Sequence, residues 1–269
     1  MLPSLPTTNR KPSPGLIFLL QLPKKRNICH AYLRSKKSLQ AFCAKIGGML
    51  KVVVFDSGYG GELFADYLEN ELPVIEIIRV IDWRNAEKVL KSPRSARKVA
   101  EQTLRPYINR VDLIIFANNL LSLTSLKYFK RKYKNQKFLG LTLEEPSTFI
   151  KKDVLILATN SIKKTINFYN FNHRLHRKTK TLTLDPWLSK IDDGELNPLE
   201  ISNTIQTFLL NANFNPQEVI LACSHLNDIK AELKNILGSS TRIYDGFKIA
   251  VYQTCKALNI RGGNFRKQK

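Results

Sequence analysis

Cysteine is scarce in this sequence, and its distribution excludes several classes of protein. Cys29, Cys43, Cys223 and Cys255 are the only four cysteines in 269 residues, too few for a small domain held together by disulfides. None of them forms the C-x-x-C pair that is typical of a structural zinc site. The sequence therefore predicts a protein of a reducing compartment, which we take to be the cytoplasm.

Long apolar runs are also absent. The best run, Gly15 to Leu22, is interrupted by Gln21 and is much shorter than the ~18 residues that a membrane-spanning helix needs. We therefore expect no membrane association. At ~100–200 residues per domain, the chain length fits one large domain or two small ones.

Acidic residues are missing from residues 1–48, which carry nine Lys/Arg and no Asp or Glu. The segment mixes Pro, Ser and basic residues around one short apolar run, so we expect little order in it. The sequence contains only two methionines, Met1 and Met49, and Met49 lies directly before the first predicted strand. A start codon assigned too early explains this segment best; a basic transit peptide and, less well, a secretory signal are the alternatives.

The net charge of +21 would ordinarily suggest a nucleic-acid partner. The excess is uneven, since residues 49–269 hold 34 basic and 22 acidic side chains, a net charge of +12. The run KYFKRKYKNQK mixes aromatics with bases, yet at helical spacing its aromatics fit a core stripe with lysines on the outer face. Because lysine abounds throughout the chain, codon bias accounts for the charge, and a nucleic-acid partner is not favoured.

From Met49 onward, predicted strands and helices alternate. The predicted strands are LKVVVFDSG, which ends in a glycine turn, VIEIIRVID, VDLIIFANN, KFLGLTLEEP, DVLILATN, KTKTLTLDP, EVILACSH and RIYDG, which ends in a turn. Amphipathic segments such as ELFADYLENEL, SLKYFKRKY and FKIAVYQTCKAL separate or follow them and predict helices. This alternation predicts an α/β protein with mainly parallel sheets flanked by helices, and with reactive residues at the carboxyl ends of strands.

Three strand ends, FDSGYGG, FANN and LACSH, carry polar or reactive residues. In parallel sheets, ligands bind where such strand ends meet helix N-termini. Simpler interpretations exist: Asp56 and Ser57 as helix caps, the asparagines as turn residues, and Cys223 as a small buried hydrophobe. Ser224 and His225 directly follow Cys223, however, and a neighbouring imidazole activates a thiol. The sequence therefore favours a reactive cysteine.

The segments VVVFDSGYGG, LIIFANN, ILATN, VILACSH and IYDG, in this order and spacing, resemble the cofactor-independent aspartate/glutamate racemase family, and its glutamate racemases most. The resemblance covers residues 49 to about 260. It implies two similar α/β domains, residues 49–142 with 242–262 and residues 145–238, with the active site in the cleft between them. It also implies a small carboxylate or amino-acid substrate and no cofactor or metal, and it leaves a homodimer open.

Members of this family place one cysteine from each domain on either side of the substrate α-carbon. One cysteine removes the α-proton, and the other returns a proton to the opposite face. The resemblance implies that Cys223 is the second-domain thiol, that His225 is its partner and that Asp56 lies beside the substrate amino group. The substrate-binding residues that it implies are Ser57, Asn118, Asn119, Thr159 and Ser224.

The chain departs from the family's A-C-N-T motif, because residues 117–120 read A-N-N-L. Asn118 replaces the first thiol with an amide that exchanges no proton near neutral pH, and Leu120 replaces a hydroxyl. Two-base racemisation needs proton carriers on both faces. Cys223 would then be the sole thiol, and Asp56 the only evident carboxylate able to complete racemisation. A one-thiol decarboxylase-like enzyme and a non-catalytic descendant that binds an anion or nucleic acid are the alternatives.

This interpretation also predicts a distance. If Asn118 and Cys223 face each other across a bound substrate, their side chains should lie roughly 7–9 Å apart, which is about two near-attack separations of ~3–3.5 Å plus the α-carbon. The other site residues should line the same cleft.

Overall fold

The structure, a computed structural model, describes residues 48–141, 152–165, 168, 179–193, 195 and 197–260. Residues 1–47, in which little order was expected, lie outside the described residues, as does the junction expected between the two domains at residues 142–145. Throughout the part that is described, no helix is both long enough and apolar enough to cross a membrane.

The first half of the described chain forms a four-stranded parallel sheet with helices on both faces. Its strands are β1 (Leu50–Asp56), β2 (Ile75–Ile81), β3 (Leu113–Phe116) and β4 (Phe138–Gly140). Its helices are α1 (Tyr59–Glu71), α2 (Ala86–Lys91), α3 (Pro93–Leu104) and α4 (Asn119–Lys132), with a 3-10 turn at Trp83–Asn85. The strand order β2-β1-β3-β4 places β1 and β3 at the centre.

The second half repeats this arrangement. Its strands are β5 (Val154–Ala158), β6 (Thr179–Thr183), β7 (Glu218–Leu221) and β8 (Arg242–Tyr244). Its helices are α5 (Asn160–Lys163), α6 (Asp185–Asp192), α7 (Pro198–Asn211) and α8 (Lys230–Leu237), with a 3-10 turn at Ser224–Asn227, and α9 (Gly246–Ala257) follows β8. The order β6-β5-β7-β8 is parallel throughout and matches the first sheet strand for strand. The predicted fold class is confirmed.

The central strand β1 shows why its sequence is apolar without interruption. Val52 and Val54 pack in the core beneath α1 and α9. Val53 and Phe55, which point to the other face of the sheet, pack beneath α3 and α4. A strand buried on both faces has no solvent side on which polar residues could alternate, and this is typical of parallel sheets covered by helices.

The chain returns from the second half to the first after β8. β8 pairs with β7, with Ile243 beside Val219, whereas the next helix packs on the first core through Phe247. Asp245 marks the turning point and caps α9 by accepting hydrogen bonds from the backbone N–H groups of Phe247 (3.0 Å) and Lys248 (3.1 Å). The expected division began the returning segment at residue 242, but the backbone pairing of β8 puts residues 242–244 in the second sheet. We therefore propose a boundary at Asp245.

Some helix limits differ from the predicted ones. The sequence pattern from Ser95 to Asn109 predicts one helix with a late interruption at Pro106. Helix α3 instead begins at Pro93, where Ser92 Oγ accepts a hydrogen bond from the Ser95 N–H (3.1 Å), and it ends at Leu104. Helix α6 was not predicted, although a proline in its first turn suits a helix start.

Candidate functional site

The candidate residues lie at the carboxyl ends of the two central strands of each sheet. Asp56 and Ser57 end or follow β1, Asn118 and Asn119 follow β3, Thr159 follows β5, and Cys223, Ser224 and His225 follow β7. In each sheet, the chain goes from one central strand to the outer strand at one edge, and from the other central strand to the outer strand at the opposite edge. Such a switch point opens a crevice at the carboxyl edge of the sheet, where ligands bind in folds of this type.

Asp56 is the most deeply buried titratable group of the site, with 0% exposure. Its Oδ1 accepts hydrogen bonds from the Ser57 N–H (2.5 Å) and from Asn118 Nδ2 (2.7 Å). Its Oδ2 is buried and accepts no hydrogen bond from the residues that the structure describes. Burial raises the pKa of Asp56 from 3.8 to about 6, a rise that the Asn118 hydrogen bond and nearby His225 oppose. A carboxyl group in this state can accept or donate a proton close to neutral pH.

Asn118 is held at both ends of its amide. Its Nδ2 donates to Asp56, and its Oδ1 accepts from the Leu121 N–H (3.0 Å), which caps helix α4. The residue is therefore a helix cap, as the simpler interpretation of the sequence has it, and also a positioning group for Asp56. A role for Asn118 in binding substrate stays a prediction, as does its distance from Cys223.

The second half contributes a thiol and an imidazole. Cys223 is 7% exposed, and its Sγ lies 3.5 Å from Nδ1 of His225. The chain enters a 3-10 turn at Ser224, which brings these two side chains, two residues apart, to the same side. A thiol in contact with an imidazole is an arrangement that acid–base and nucleophilic cysteines share.

One glycine, Gly60, allows the halves to meet closely. A Cβ added to Gly60 would overlap Oγ of Ser224, lie 2.7 Å from Ser224 Cβ and lie 3.3 Å from His225 Nδ1. A Cβ on Gly58 would lie at an ordinary 3.7 Å from Nε2 of the same histidine. Gly60 is therefore required for close approach rather than for an unusual backbone angle. The contact brings Asp56 and the Cys223–His225 pair into one site.

The remaining predicted residues have structural roles in the described chain. Asn119 is buried and donates from Nδ2 to the Leu141 carbonyl (3.2 Å), which secures the residue that follows β4. Thr159 Oγ1 accepts from the Ile162 N–H (3.2 Å) and caps α5. Ser57 is buried beside Asp56. Their contacts with a substrate stay predictions.

Trp83 was not singled out from the sequence, yet it borders the site. Its ring comes within 3.9 Å of a Cβ added to Gly58, and 52% of the residue is exposed. Asp82, the residue directly before Trp83, is held in place because its carboxylate accepts hydrogen bonds from Thr103 Oγ1 (2.8 Å) and Asn85 Nδ2 (2.9 Å). The sequence could have indicated Trp83 only by its position, because its segment follows β2 at the same edge of the sheet as Asp56.

Metal chemistry has no evident ligand set in this part of the chain. Among the described residues, no group of three or more His, Cys, Asp or Glu side chains is arranged to hold a metal ion. The chemistry that these side chains can supply is proton transfer among a carboxyl group, a thiol and an imidazole.

Comparisons with known proteins point in the same direction. No protein-family model matches the chain. The chain is 23% identical over 228 residues to the glutamate racemase of Prochlorococcus marinus (strain NATL2A), covering 82% of this chain and 84% of the relative. It is 24% identical over 212 residues to the glutamate racemase of Buchnera aphidicola subsp. Schizaphis graminum (strain Sg), covering 72% and 79%.

Solved structures share the fold. The chain superposes on Escherichia coli glutamate racemase with a TM-score of 0.66 at 19% identity, covering 82% of this chain and 86% of the other. It superposes on Picrophilus torridus aspartate racemase with a TM-score of 0.54 at 15% identity, covering 80% and 95%. At these identities the likeness establishes the two-sheet architecture alone.

Proposed function

Because this chain is a divergent member of the aspartate/glutamate racemase family, we propose that it is a racemase-like isomerase that moves a proton at the α-carbon of a small amino acid or carboxylate. The observation that carries this proposal is the Cys223–His225 contact of 3.5 Å, joined through Gly60 to the buried carboxyl of Asp56. Three groups capable of acid–base chemistry thus occupy one junction between the two sheets.

On the second-half side, Cys223 acts as the proton carrier. As a thiolate it accepts the α-proton: the carbon–hydrogen bond breaks, a sulfur–hydrogen bond forms, and the electron pair stays on the substrate as a planar enolate. His225 exchanges protons with the sulfur, since its Nδ1 lies within contact distance. In the reverse direction, the thiol returns its proton to carbon.

On the first-half side, Asp56 takes the role of the missing thiol. Asn118 carries no exchangeable acid–base group, but it orients the carboxyl through a 2.7 Å hydrogen bond and leaves Oδ2 unpartnered among the described residues. With a pKa raised by burial to about 6, Asp56 is mostly ionised at neutral pH and can accept a proton, and its protonated form can donate one. Removal on one face and return on the other inverts the α-carbon.

The substrate is proposed to be glutamate, aspartate or a similar small acid, because the relatives are named for glutamate and the neighbouring structures for glutamate or aspartate. The proposed binding groups are Ser57, Asn118, Asn119, Thr159 and Ser224. Leu120 supplies no hydrogen bond and instead packs with Val154 and Ile156 in a core cluster of the second half. A cytoplasmic location, independence from cofactors and a possible homodimer stay predictions.

Exchange of the α-proton in D2O, followed by proton NMR with each enantiomer of glutamate and aspartate, tests the proposal. Cys223→Ala should reduce exchange by about 100-fold or more, the usual contribution of a positioned acid–base group. Cys255→Ala is the matched control, because Cys255 is likewise buried but lies in the core of the first half. Its exchange rate should stay within about twofold of wild type.

Two results would contradict the proposal: no exchange with any of the four substrates, or an equal loss in both cysteine variants. Release of CO2 from a malonate-type acid without exchange would instead point to one-sided decarboxylation.

A further inference from the structure

The two helical faces of the first sheet differ in charge. Residues 59–76, which include α1, hold five acidic and no basic side chains, whereas residues 93–137, which include α3 and α4, hold eleven Lys/Arg against two Asp/Glu, a net charge of +9. Helices α1 and α9 cover the face of Val52 and Val54, and α3 and α4 cover the opposite face. On the first of these faces, α9 adds two lysines and no acidic residue, and Arg79 forms ion pairs with three of the five acidic side chains. A codon bias toward lysine acts on the whole chain and does not explain this segregation.

Helices α3 and α4 lie side by side in fixed register. Arg97 donates from Nε to the Thr124 carbonyl (3.0 Å) and places its guanidinium 5.5 Å from the centre of the Tyr128 ring. The hydroxyl of Tyr128 donates in turn to Glu101 Oε1 (3.1 Å). These contacts leave two exposed rows of cations, which we call the basic face: Arg94, Lys98 and Arg105 on or directly after α3, and Lys127, Lys130, Arg131 and Lys134 on or after α4.

The nearby acids do not neutralise the basic face. Glu101 is engaged by Lys132 and by the hydroxyl groups of Tyr128 and Tyr133. Asp112 accepts from the backbone N–H of Lys51 (2.7 Å). No ion pair within the described ranges of the chain involves a member of the basic face. Its seven positive charges therefore face solvent together.

Helix stability explains only part of this arrangement. Lys130 and Arg131 lie in the last turn of α4, where cations interact favourably with the helix dipole. Arg94 lies at the start of α3, where a cation is unfavourable, and the first turn of that helix contains no acidic residue. A cation that opposes the dipole in a row of like charges is unfavourable for the isolated fold, and an anionic partner would compensate it.

We propose that the basic face binds nucleic acid through its phosphate backbone. At a rise of 1.5 Å per residue, Arg94 and Arg105 lie about 16 Å apart along α3, a length over which duplex DNA carries about ten phosphate charges. Neighbouring helices are ~8–10 Å apart, so the second row widens the surface to the scale of a nucleic-acid strand. On the far side of the sheet, the five acidic residues of residues 59–76 outnumber the two lysines of α9, so that side attracts a polyanion less than the basic face does.

The basic face is separate from the candidate active site. Helix α4 begins beside the site at Asn118, while Lys127, Lys130 and Arg131 lie in its later turns. A bound strand would therefore leave the carboxyl edge of the sheets open. The proposal stands independently of the proposed enzymatic function.

Fluorescence anisotropy of the full chain tests this proposal, with labelled RNA of about 20 nucleotides and a DNA duplex of similar length between about 50 and 200 mM salt. Lys98→Glu with Lys127→Glu should weaken binding about tenfold and make the salt dependence shallower by about two phosphate contacts. The pair Lys98→Gln and Lys127→Gln, which is milder for folding, should produce the same change in smaller measure.

The matched control is Lys248→Glu with Lys256→Glu, an equal change of charge at exposed positions of α9, on the opposite face of the sheet. Its affinity should stay within about threefold of wild type. Equal loss in both pairs, no change in the Lys98 and Lys127 pair, or undetectable binding would overturn the proposal. So would equally tight binding of polyglutamate or of phosphatidylserine vesicles, since the face would then attract any polyanion.

Discussion

The two halves of this protein share one strand order but supply different chemistry at the same place in the fold. The end of β3 presents Asn118, an amide that caps a helix, while the end of β7, the equivalent strand of the second sheet, presents the Cys223 thiol. The end of β1 presents a buried carboxyl, whereas β5 is followed by Thr159, a helix cap with a neutral hydroxyl. Strand order thus fixes where a site forms, and the side chains at the strand ends decide what it does.

Under the proposed function, this difference divides the proton carriers unequally between the two halves. The second half has a sulfur and an imidazole in contact, while the first half relies on Asp56, whose burial raises its pKa. Under that proposal, one thiol and one buried carboxyl supply proton carriers on both sides of the site.

The largest expected effect tests the role of Asp56. Asp56→Asn should reduce α-proton exchange by about 100-fold or more, because an amide carries no proton between the faces. The substitution keeps the volume of the side chain. If exchange is lost while the variant still folds, the loss is therefore due to the missing carboxyl group. If exchange persists at near the wild-type rate, Asp56 is not a proton carrier and the first half contributes only binding groups.

The same carboxyl makes stability depend on pH. Its pKa of about 6 in the folded chain lies above the ordinary 3.8, so the folded state holds the proton more tightly than the unfolded state does. The stability contribution is therefore full below about pH 4 and is lost as pH rises through about 6, by about 3 kcal/mol in total. Urea unfolding of wild type and Asp56→Asn across this range should show curves that diverge by that amount. Parallel curves would contradict the burial of an ionisable Asp56.

The next effect tests how closely the halves approach. Gly60→Ala places a Cβ against Ser224, so the halves must move apart by a fraction of an ångström, at a cost of about 1–3 kcal/mol in the free energy of unfolding. A displacement of this size at reacting groups should reduce exchange by about 100-fold. Gly58→Ala is the matched control, because its Cβ meets only ordinary contacts and its backbone is extended. Equal effects of both substitutions would show that the close contact is unimportant.

Much of this architecture is predictable from local patterns in the sequence. Uninterrupted apolar segments such as the one in β1 predict strands buried on both faces, and polar residues at their ends predict a site at the carboxyl edge. Those inferences depend on burial periodicity, which is a local property of the chain.

Other features depend on contacts between distant residues and could not be predicted. The three residues of β8 are too few to indicate which sheet they join, and DPWLSKID, at eight residues, is too short for its pattern alone to identify a helix. The fit of Gly60 against Ser224 joins residues more than 160 positions apart. The difference in charge between the two helical faces becomes visible only when the position of each helix on the sheet is known.

The smallest expected effect asks whether the two halves can be made alike. Asn118→Cys puts a thiol on the first half and should raise racemisation of the preferred substrate by about tenfold, a modest part of what a positioned acid–base group contributes. The gain is limited because cysteine neither caps α4 nor donates to Asp56 as the amide does, and a lost cap costs about 1 kcal/mol.

Asn118→Ala, which removes the same two hydrogen bonds without adding a thiol, is the control and should lower the rate. Racemisation is measured by circular dichroism from each enantiomer, and unfolding by urea separates the loss of the cap from the chemistry. If Asn118→Cys and Asn118→Ala behave alike, the thiol does not reach the substrate, and the shape of the pocket rather than the number of thiols limits the reaction.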